Sequence, residues 1–157
     1  MIIRPATLDD APAISALVRA LTQEFIAPEL AEEAAKRLLE SMNAVSIRAY
    51  IRAGYRYHVA EAEGEIVGLI GVKESRHLYH LFVSRSFQRR GWARQLWETA
   101  KAASLADGNP GRFTVHSSLG AVGFYEKLGF VKESEAVHKA GVVYVPMKRE
   151  GADPPSK

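Results

Sequence analysis

An apolar run, His80-Leu81-Phe82-Val83, passes through Ser84-Arg85-Ser86-Phe87-Gln88-Arg89-Arg90 to Gly91, and then into an amphipathic stretch opening Trp92-Ala93-Arg94. A strand that turns into a helix in this way leaves unpaired backbone N–H groups at the helix start, where the helix dipole favours negative charge. Gly91 removes a Cβ that would keep an anion from the backbone, and Ala93 is the next smallest choice. Arg85, Arg89, Arg90 and Arg94 surround the glycine and can add charge-assisted hydrogen bonds. The chemistry this pattern suits is the holding of a compact polyphosphate. Neither G-x-x-x-x-G-K-[ST] nor a post-strand G-x-G-x-x-G occurs, so the common nucleotide loops do not explain it. The five histidines lack metal-site spacing with carboxylates, so no metal is expected. The chain has no cysteine, which removes disulfides, thiolate metal sites and a cysteine acyl-enzyme.

The elements that must position this loop follow from periodicity. Met1 to Arg4 predicts a strand, and Ile14, Leu17, Val18, Leu21 and Phe25 a helix starting near Asp9. Thr7 and Asp10 form a capping-box pattern, and Pro12 fits the first turn. Pro28 opens a second amphipathic stretch, and a shorter helix from Ser46 to Ala53 ends at Gly54. Tyr57 to Ala62 and Ile66 to Val72 flank the turn Glu63-Gly64 and predict a β-hairpin. A strand from His77 to Val83 precedes the loop. Alternation along it puts His77, Tyr79, Leu81 and Val83 on one face, with Leu78, His80 and Phe82 on the other. Ala93 to about Asp107 predicts a helix, Phe113 to His116 a strand, and Ala121 to Leu128 a short helix stopped by Gly129. Phe130 to Ala136 and Val142 to Met147 predict the last two strands, joined near Lys139. The expected organisation is one domain over 1–149 and a flexible tail over 150–157. The element order implies an α/β (α+β) fold, a mixed sheet with helices on its faces.

Length and composition agree. The 157 residues, 47% hydrophobic and 25% charged, suit one soluble globular domain. No apolar run reaches bilayer length, and no secretory leader is recognised, so the expected localisation is cytoplasmic with no membrane partner. The 21 Lys+Arg against 18 Asp+Glu leave only +3. The one tight basic cluster suits a small polyphosphate better than a nucleic acid, which would meet a basic stripe.

Gln88-Arg89-Arg90-Gly91-Trp92-Ala93 resembles the [QR]-x-x-G-x-[GA] pyrophosphate loop of the GCN5-related N-acetyltransferase (GNAT) superfamily. Leu81-Phe82-Val83 stands upstream of it. Gly123-Phe124-Tyr125-Glu126-Lys127-Leu128-Gly129-Phe130 downstream looks like that family's F-Y-x-x-x-G-F signature. Val142 to Met147 looks like the last strand of many small members. The resemblance covers nearly the whole chain. It implies a three-layer fold with a mostly antiparallel sheet of six to seven strands, whose central strands splay to admit acetyl-CoA as cosubstrate.

The resemblance further implies main-chain pairing of Leu81 and Val83 with pantetheine, and an oxyanion donor at or beside Phe82. Backbone amides of Arg89 to Arg94, with Gln88 before them, would hold the pyrophosphate; Trp92, Ser118 and Phe124 complete the expected coenzyme contacts. It implies Tyr125 as the acid for the leaving sulfur. The base that takes a proton from the incoming amine is left among His77, Tyr79, His116 and water. His116 departs from the Asn found there in many members. The acceptor site is expected from Gln23 to Leu30, Asn43 to Arg56 and the loop near Lys139. The expected reaction is direct acetyl transfer to a primary amine in a ternary complex, on a small molecule or a peptide. Homodimerisation through the last strands is common on the fold it resembles. Two other classes compete: a coenzyme A-binding regulatory module without turnover, and an RNA- or protein-binding domain using the same arginines.

Overall fold

The computed structural model describes residues 1–151. Strand β1, Ile2–Pro5, leads through a 3₁₀ turn at Leu8–Asp10 into α1, Ala11–Phe25. The turn is fixed by Asp10, whose Oδ2 accepts from the Thr7 N–H at 2.7 Å while both carboxylate oxygens meet the Arg4 guanidinium at 2.8 and 2.9 Å. This bidentate pair holds the Asp10 carboxyl below its ordinary range. The α-helix proper therefore begins two residues after the expected Asp9, with Pro12 in its first turn. A second 3₁₀ turn, Ala27–Glu29, precedes α2, Glu32–Glu40. Helix α3, Ala44–Arg52, starts earlier than the expected Ser46 because Asn43 Oδ1 caps it, accepting from the Ser46 N–H at 2.8 Å.

The sheet contains β1, then β2 (Arg56–Ala62), β3 (Glu65–Lys73), β4 (His77–Val83), β5 (Phe113–Ser117), β6 (Val131–Lys132), β7 (Val137–Lys139) and β8 (Val142–Arg149). Its spatial order is β1-β2-β3-β4-β5-β8-β6, with β7 also paired to β8. Among the described residues only β4 and β5 run parallel. Among the described residues there are eight strands, where six to seven were expected. The stretch from Phe130 to Ala136, read as one strand, stops after Lys132, and pairing with β8 resumes at Val137. The tail expected over 150–157 lies, from 152 onward, outside the described residues.

Helices α4 (Trp92–Ala106) and α5 (Val122–Lys127) cover one face of the sheet. Leu96, Trp97, Phe113, Leu128, Phe130 and Met147 form the core there. Trp97 is wedged edge-on between Phe113 and Phe130, with ring centroids 4.9 and 5.3 Å away. Gly129, at φ +97°, ends α5 as expected, and the buried Arg149 donates from Nε to the Leu128 carbonyl at 3.0 Å. The other face is covered by α1 and α3, whose Ile14, Val18 and Ile47 pack on Tyr57, Val59 and Leu69.

One irregularity decides what the sheet can do. Opposite β3, Gly71 pairs with His80 but Val72 pairs with Leu78, so Tyr79 is an extra residue in β4. Such a bulge breaks alternation and adds twist. Gly71 is required beside it, since a Cβ there would stand 2.5 Å from ring carbons of the buried Tyr57. Gly71→Ala is expected to cost about 1–3 kcal/mol through overpacking, read as a lower urea midpoint at unchanged m-value. A midpoint equal to wild type would show that Tyr57 does not fix this position.

Candidate active site

The bulge reassigns the side chains of β4. Tyr79 and His80 lie with ring centroids only 4.4 Å apart. Tyr79 meets Tyr50 of α3 edge-on at 5.1 Å and Tyr55 at 5.4 Å. Its hydroxyl donates to Tyr50 Oη at 3.2 Å, and Tyr50 donates onward to the Ser41 carbonyl at 2.7 Å. His80, 4% exposed, sits with Nδ1 2.9 Å from Tyr57 Oη. Leu81 and Val83 pack with the α4 side of the core, and Phe82 with the α1 side. The expected single face of His77, Tyr79, Leu81 and Val83 is therefore wrong past Tyr79, and His80 is not opposite Tyr79. His80 is buried and also lines the inner of two cavities beside β4.

Strands β4 and β5 pair only at His77↔Thr114 and Leu78↔Val115. From Tyr79 onward β4 has no neighbour on that side, so the strands part and a cleft opens between them. Two adjoining cavities occupy it. The outer one, ≈ 480 Å³, lies between Phe25 and Leu30 on one side, Leu81 to Val83 along its floor, and Ser118 to Ala121 opposite. The inner one, ≈ 360 Å³, includes Tyr79, His80, His116, Tyr125 and Tyr144. Leu81, Phe82, Ser118 and Ala121 line both.

The glycine loop stands at the mouth of the outer cavity. Gln88 folds back, donating from Nε2 to the Val83 carbonyl at 2.9 Å, which ties the loop to the strand end. That carbonyl is one of the groups expected to face pantetheine, and here it already has one partner. Arg89 and Gly91 take left-handed conformations, φ +62° and +83°. Gly91 is the N-cap residue of α4 and has no side chain to cap it, so the N–H groups of Trp92, Ala93 and Arg94 remain open at the helix start. No protein atom lies within 4 Å of where a Gly91 Cβ would stand. The glycine thus answers to its backbone conformation, and it leaves the approach to these N–H groups clear.

The arginines divide. Arg85 is committed to Glu24 of α1, with its guanidinium 6.0 Å above the Phe25 ring. Arg90 lies over Phe87 at 5.6 Å, and Arg94 reaches the Lys127 carbonyl at 3.4 Å. Arg89, Arg90 and Arg94 are all exposed. Trp92 and Phe124 are half-buried against the α4-side core, and neither lines the two cavities.

In the inner cavity Tyr125 is buried among Phe124 and Phe130, and burial pushes its phenol above the ordinary range. His116 stacks on Tyr144, centroids 4.2 Å apart and planes 18° apart. Burial pulls the His116 imidazole down. His77, by contrast, is not part of the lining. Its Nδ1 is 2.7 Å from Thr114 Oγ1 and its ring 4.8 Å from that of His116; burial, then the neighbouring His116, lowers it to about 4. Ser117, buried, donates to the Ser118 carbonyl at 2.7 Å. The expected segment from Asn43 to Arg56 supplies no lining residue, only the Tyr50 buttress behind Tyr79. In its place stand Leu38, Ser41 and Met42, and Tyr144 from β8. Tyr144 was legible in principle, since β8 alternates and Val145 and Met147 belong to the core.

A splayed strand pair, open N–H groups at a glycine-capped helix and two adjoining cavities together fit an elongated coenzyme ending in a phosphate-bearing head. No metal-holding group of three or more His, Cys, Asp or Glu occurs among the described residues, and no helix among them is long and apolar enough to cross a membrane. No curated protein matches the chain. Among solved structures, it is similar to a GCN5-related N-acetyltransferase described as an aminotransferase, class II, from Rhodopseudomonas palustris: TM-score 0.79, 22% identity, 94% of each chain covered. A PaiA N-acetyltransferase from Thermoplasma acidophilum in complex with coenzyme A gives TM-score 0.74 at 16% identity, over 95% of this chain and 98% of that one. An aminoglycoside 6′-N-acetyltransferase complexed with coenzyme A gives 0.72 at 16%, over 99% and 100%. At these identities the likeness establishes the fold. The sequence itself supplies the rest: residues 26–150 match the family described as an acetyltransferase (GNAT) domain, so the chain belongs to the GNAT acetyltransferases, enzymes with acetyl-CoA as cosubstrate.

Proposed function

We propose that the protein transfers acetyl from acetyl-CoA directly to a primary amine, both bound at once in the cleft between β4 and β5. The observation that carries this reading is the meeting of two cavities at Leu81, Phe82 and Ser118, with Tyr125 and His116 both lining the inner one. Acetyl-CoA supplies the activated acetyl group as a thioester. The remaining work falls to the chain. The N–H groups from Arg89 to Arg94, Gly91 among them, hold the pyrophosphate, with the guanidiniums of Arg89, Arg90 and Arg94 as screening charge. Gln88 props the strand end, the exposed backbone of Leu81 and Val83 offers strand-like pairing, and the amide at or beside Phe82 is the oxyanion donor. Ser118 and Phe124 border the coenzyme, and Trp92 steadies the helix start.

Two proton movements accompany formation of the C–N bond and loss of the C–S bond. Of the four bases left open by the sequence, His116 fits best, because its imidazole lines the inner cavity and burial favours its neutral, proton-accepting form. His77, fixed by Thr114 against His116, acts as the positioning residue behind it. Tyr79, locked onto Tyr50, shapes the wall. Tyr125 keeps its proton at neutral pH and presents an O–H donor to the departing sulfur. With no cysteine in the chain, direct attack needs no acyl-enzyme.

Three variants test these roles. Gly91→Asp puts a carboxylate against the open N–H groups, and calorimetric affinity for coenzyme A should fall at least about 100-fold; near-normal affinity would remove the loop from the site. Tyr125→Phe should leave that affinity within about twofold while kcat falls about 10²-fold; an unchanged kcat would exclude Tyr125. His116 is lowered from its ordinary value, so the active, neutral form is lost only as pH drops below about 6.5. The acid limb of kcat should therefore lie below that pH in wild type and vanish in His116→Ala. Persistence of the limb in that variant would assign it to another group.

A further inference from the structure

We infer that the acceptor is an arylalkyl monoamine, one primary amine on an otherwise uncharged aromatic body, an inference that rests on the amine-transfer reading above. The inner cavity is lined by 17 residues, and among these described residues there is no Asp, Glu, Lys or Arg. Aliphatic walls come from Leu38, Met42, Val115 and Val143, and ring surface from Tyr79, Phe82 and the stacked His116–Tyr144 pair. Glu29 lines the outer cavity instead, and the charges that act on His116, Glu133 and Lys139, are opposite in sign, exposed and outside the lining.

An uncharged chamber selects by what it refuses. A polyamine or an aminoglycoside would bring several ammonium groups into a site without a carboxylate to receive them, and desolvating an unpaired charge is costly. An amino acid would bring a carboxylate that no cation meets. A single amine faces no such penalty, because it must lose its proton in order to react. Low polarity favours its neutral form, the one with the nucleophilic lone pair. The ≈ 360 Å³ volume, shared with the thioester end of the coenzyme along Leu81, Phe82 and Tyr125, is at the lower end for small-molecule sites and favours a small acceptor. Ring placement is prepared. Tyr144 and His116 are already parallel, and Tyr79 is held upright by Tyr50 and Tyr55, so little side-chain freedom remains to be lost on binding.

The test compares 2-phenylethylamine, spermidine, kanamycin and L-phenylalanine as acceptors for the wild-type protein at saturating acetyl-CoA, following released thiol. The expected kcat/KM for 2-phenylethylamine exceeds each of the others by at least about tenfold. If spermidine, kanamycin or L-phenylalanine equals or beats it, amine transfer stands and the monoamine assignment falls. If acetyl-CoA binds and none of the four releases thiol, the monoamine assignment falls; thiol release with a peptide bearing a free N-terminus would then keep amine transfer, and its absence there too would remove that reading. Tyr144→Ala supplies a second readout: kcat/KM for 2-phenylethylamine should fall at least about tenfold, and an unchanged kcat/KM would overturn the ring platform.

Discussion

A single inserted residue, Tyr79, governs the geometry of the site. Because Gly71 faces His80 and Val72 faces Leu78, the β4 backbone bends after Leu78, and its pairing with β5 ends at that same residue. An extra residue leaves ladder groups unpaired and would not persist without compensation. The compensation is visible on both sides. Tyr79 is tied through Tyr50 to the Ser41 carbonyl, His80 meets Tyr57, and Gly71 makes the room that Tyr57 needs. The opening between the strands is thus built into the packing of α3 and β2. In the proposed function it is where coenzyme and acceptor meet.

Electrostatics in the cleft change from one end to the other. At its mouth, exposed arginines and an uncapped helix start make a positive, solvated setting suited to phosphates. Inside, the histidines are held neutral by burial and the Tyr125 phenol is held protonated by the same cause. The two ends suit the two parts of the proposed chemistry. In that proposal charge is held at the periphery, and proton transfer and nucleophilic attack are assigned to the end where neutral amine and neutral imidazole are favoured. Arg85 belongs to neither end: paired with Glu24, it joins the C-terminal part of α1 to the loop and so frames the cleft.

Much of this was legible in the residues, and the parts that were not have physical reasons. The strand–loop–glycine–helix sequence around Gly91 showed itself because local conformation and anion chemistry demand the same residues in the same few positions. The helix ends at Gly54 and Gly129 were readable for similar reasons. The bulge was not. Alternation over a seven-residue strand gives no sign of an insertion whose cause lies in Tyr57 and Gly71 of the neighbouring strands. With it went the facing of Leu81 and Val83. The break between β6 and β7 was hidden too, since pairing with β8, rather than the polar residues themselves, sets where each piece ends. The cavity wall formed by Leu38, Ser41 and Met42 was missed because a helix end recruited to a cavity looks like any other amphipathic end.

Amide hydrogen exchange with and without coenzyme A tests directly whether the coenzyme lies along the gap beside β4. Protection should rise in two separated segments, Tyr79 to Val83 and Gly91 to Arg94, with little change at the turn Glu74-Ser75, at the opposite end of β4 from Val83. Protection confined to one segment, or centred away from both, would contradict a coenzyme lying from the glycine loop into the gap beside β4.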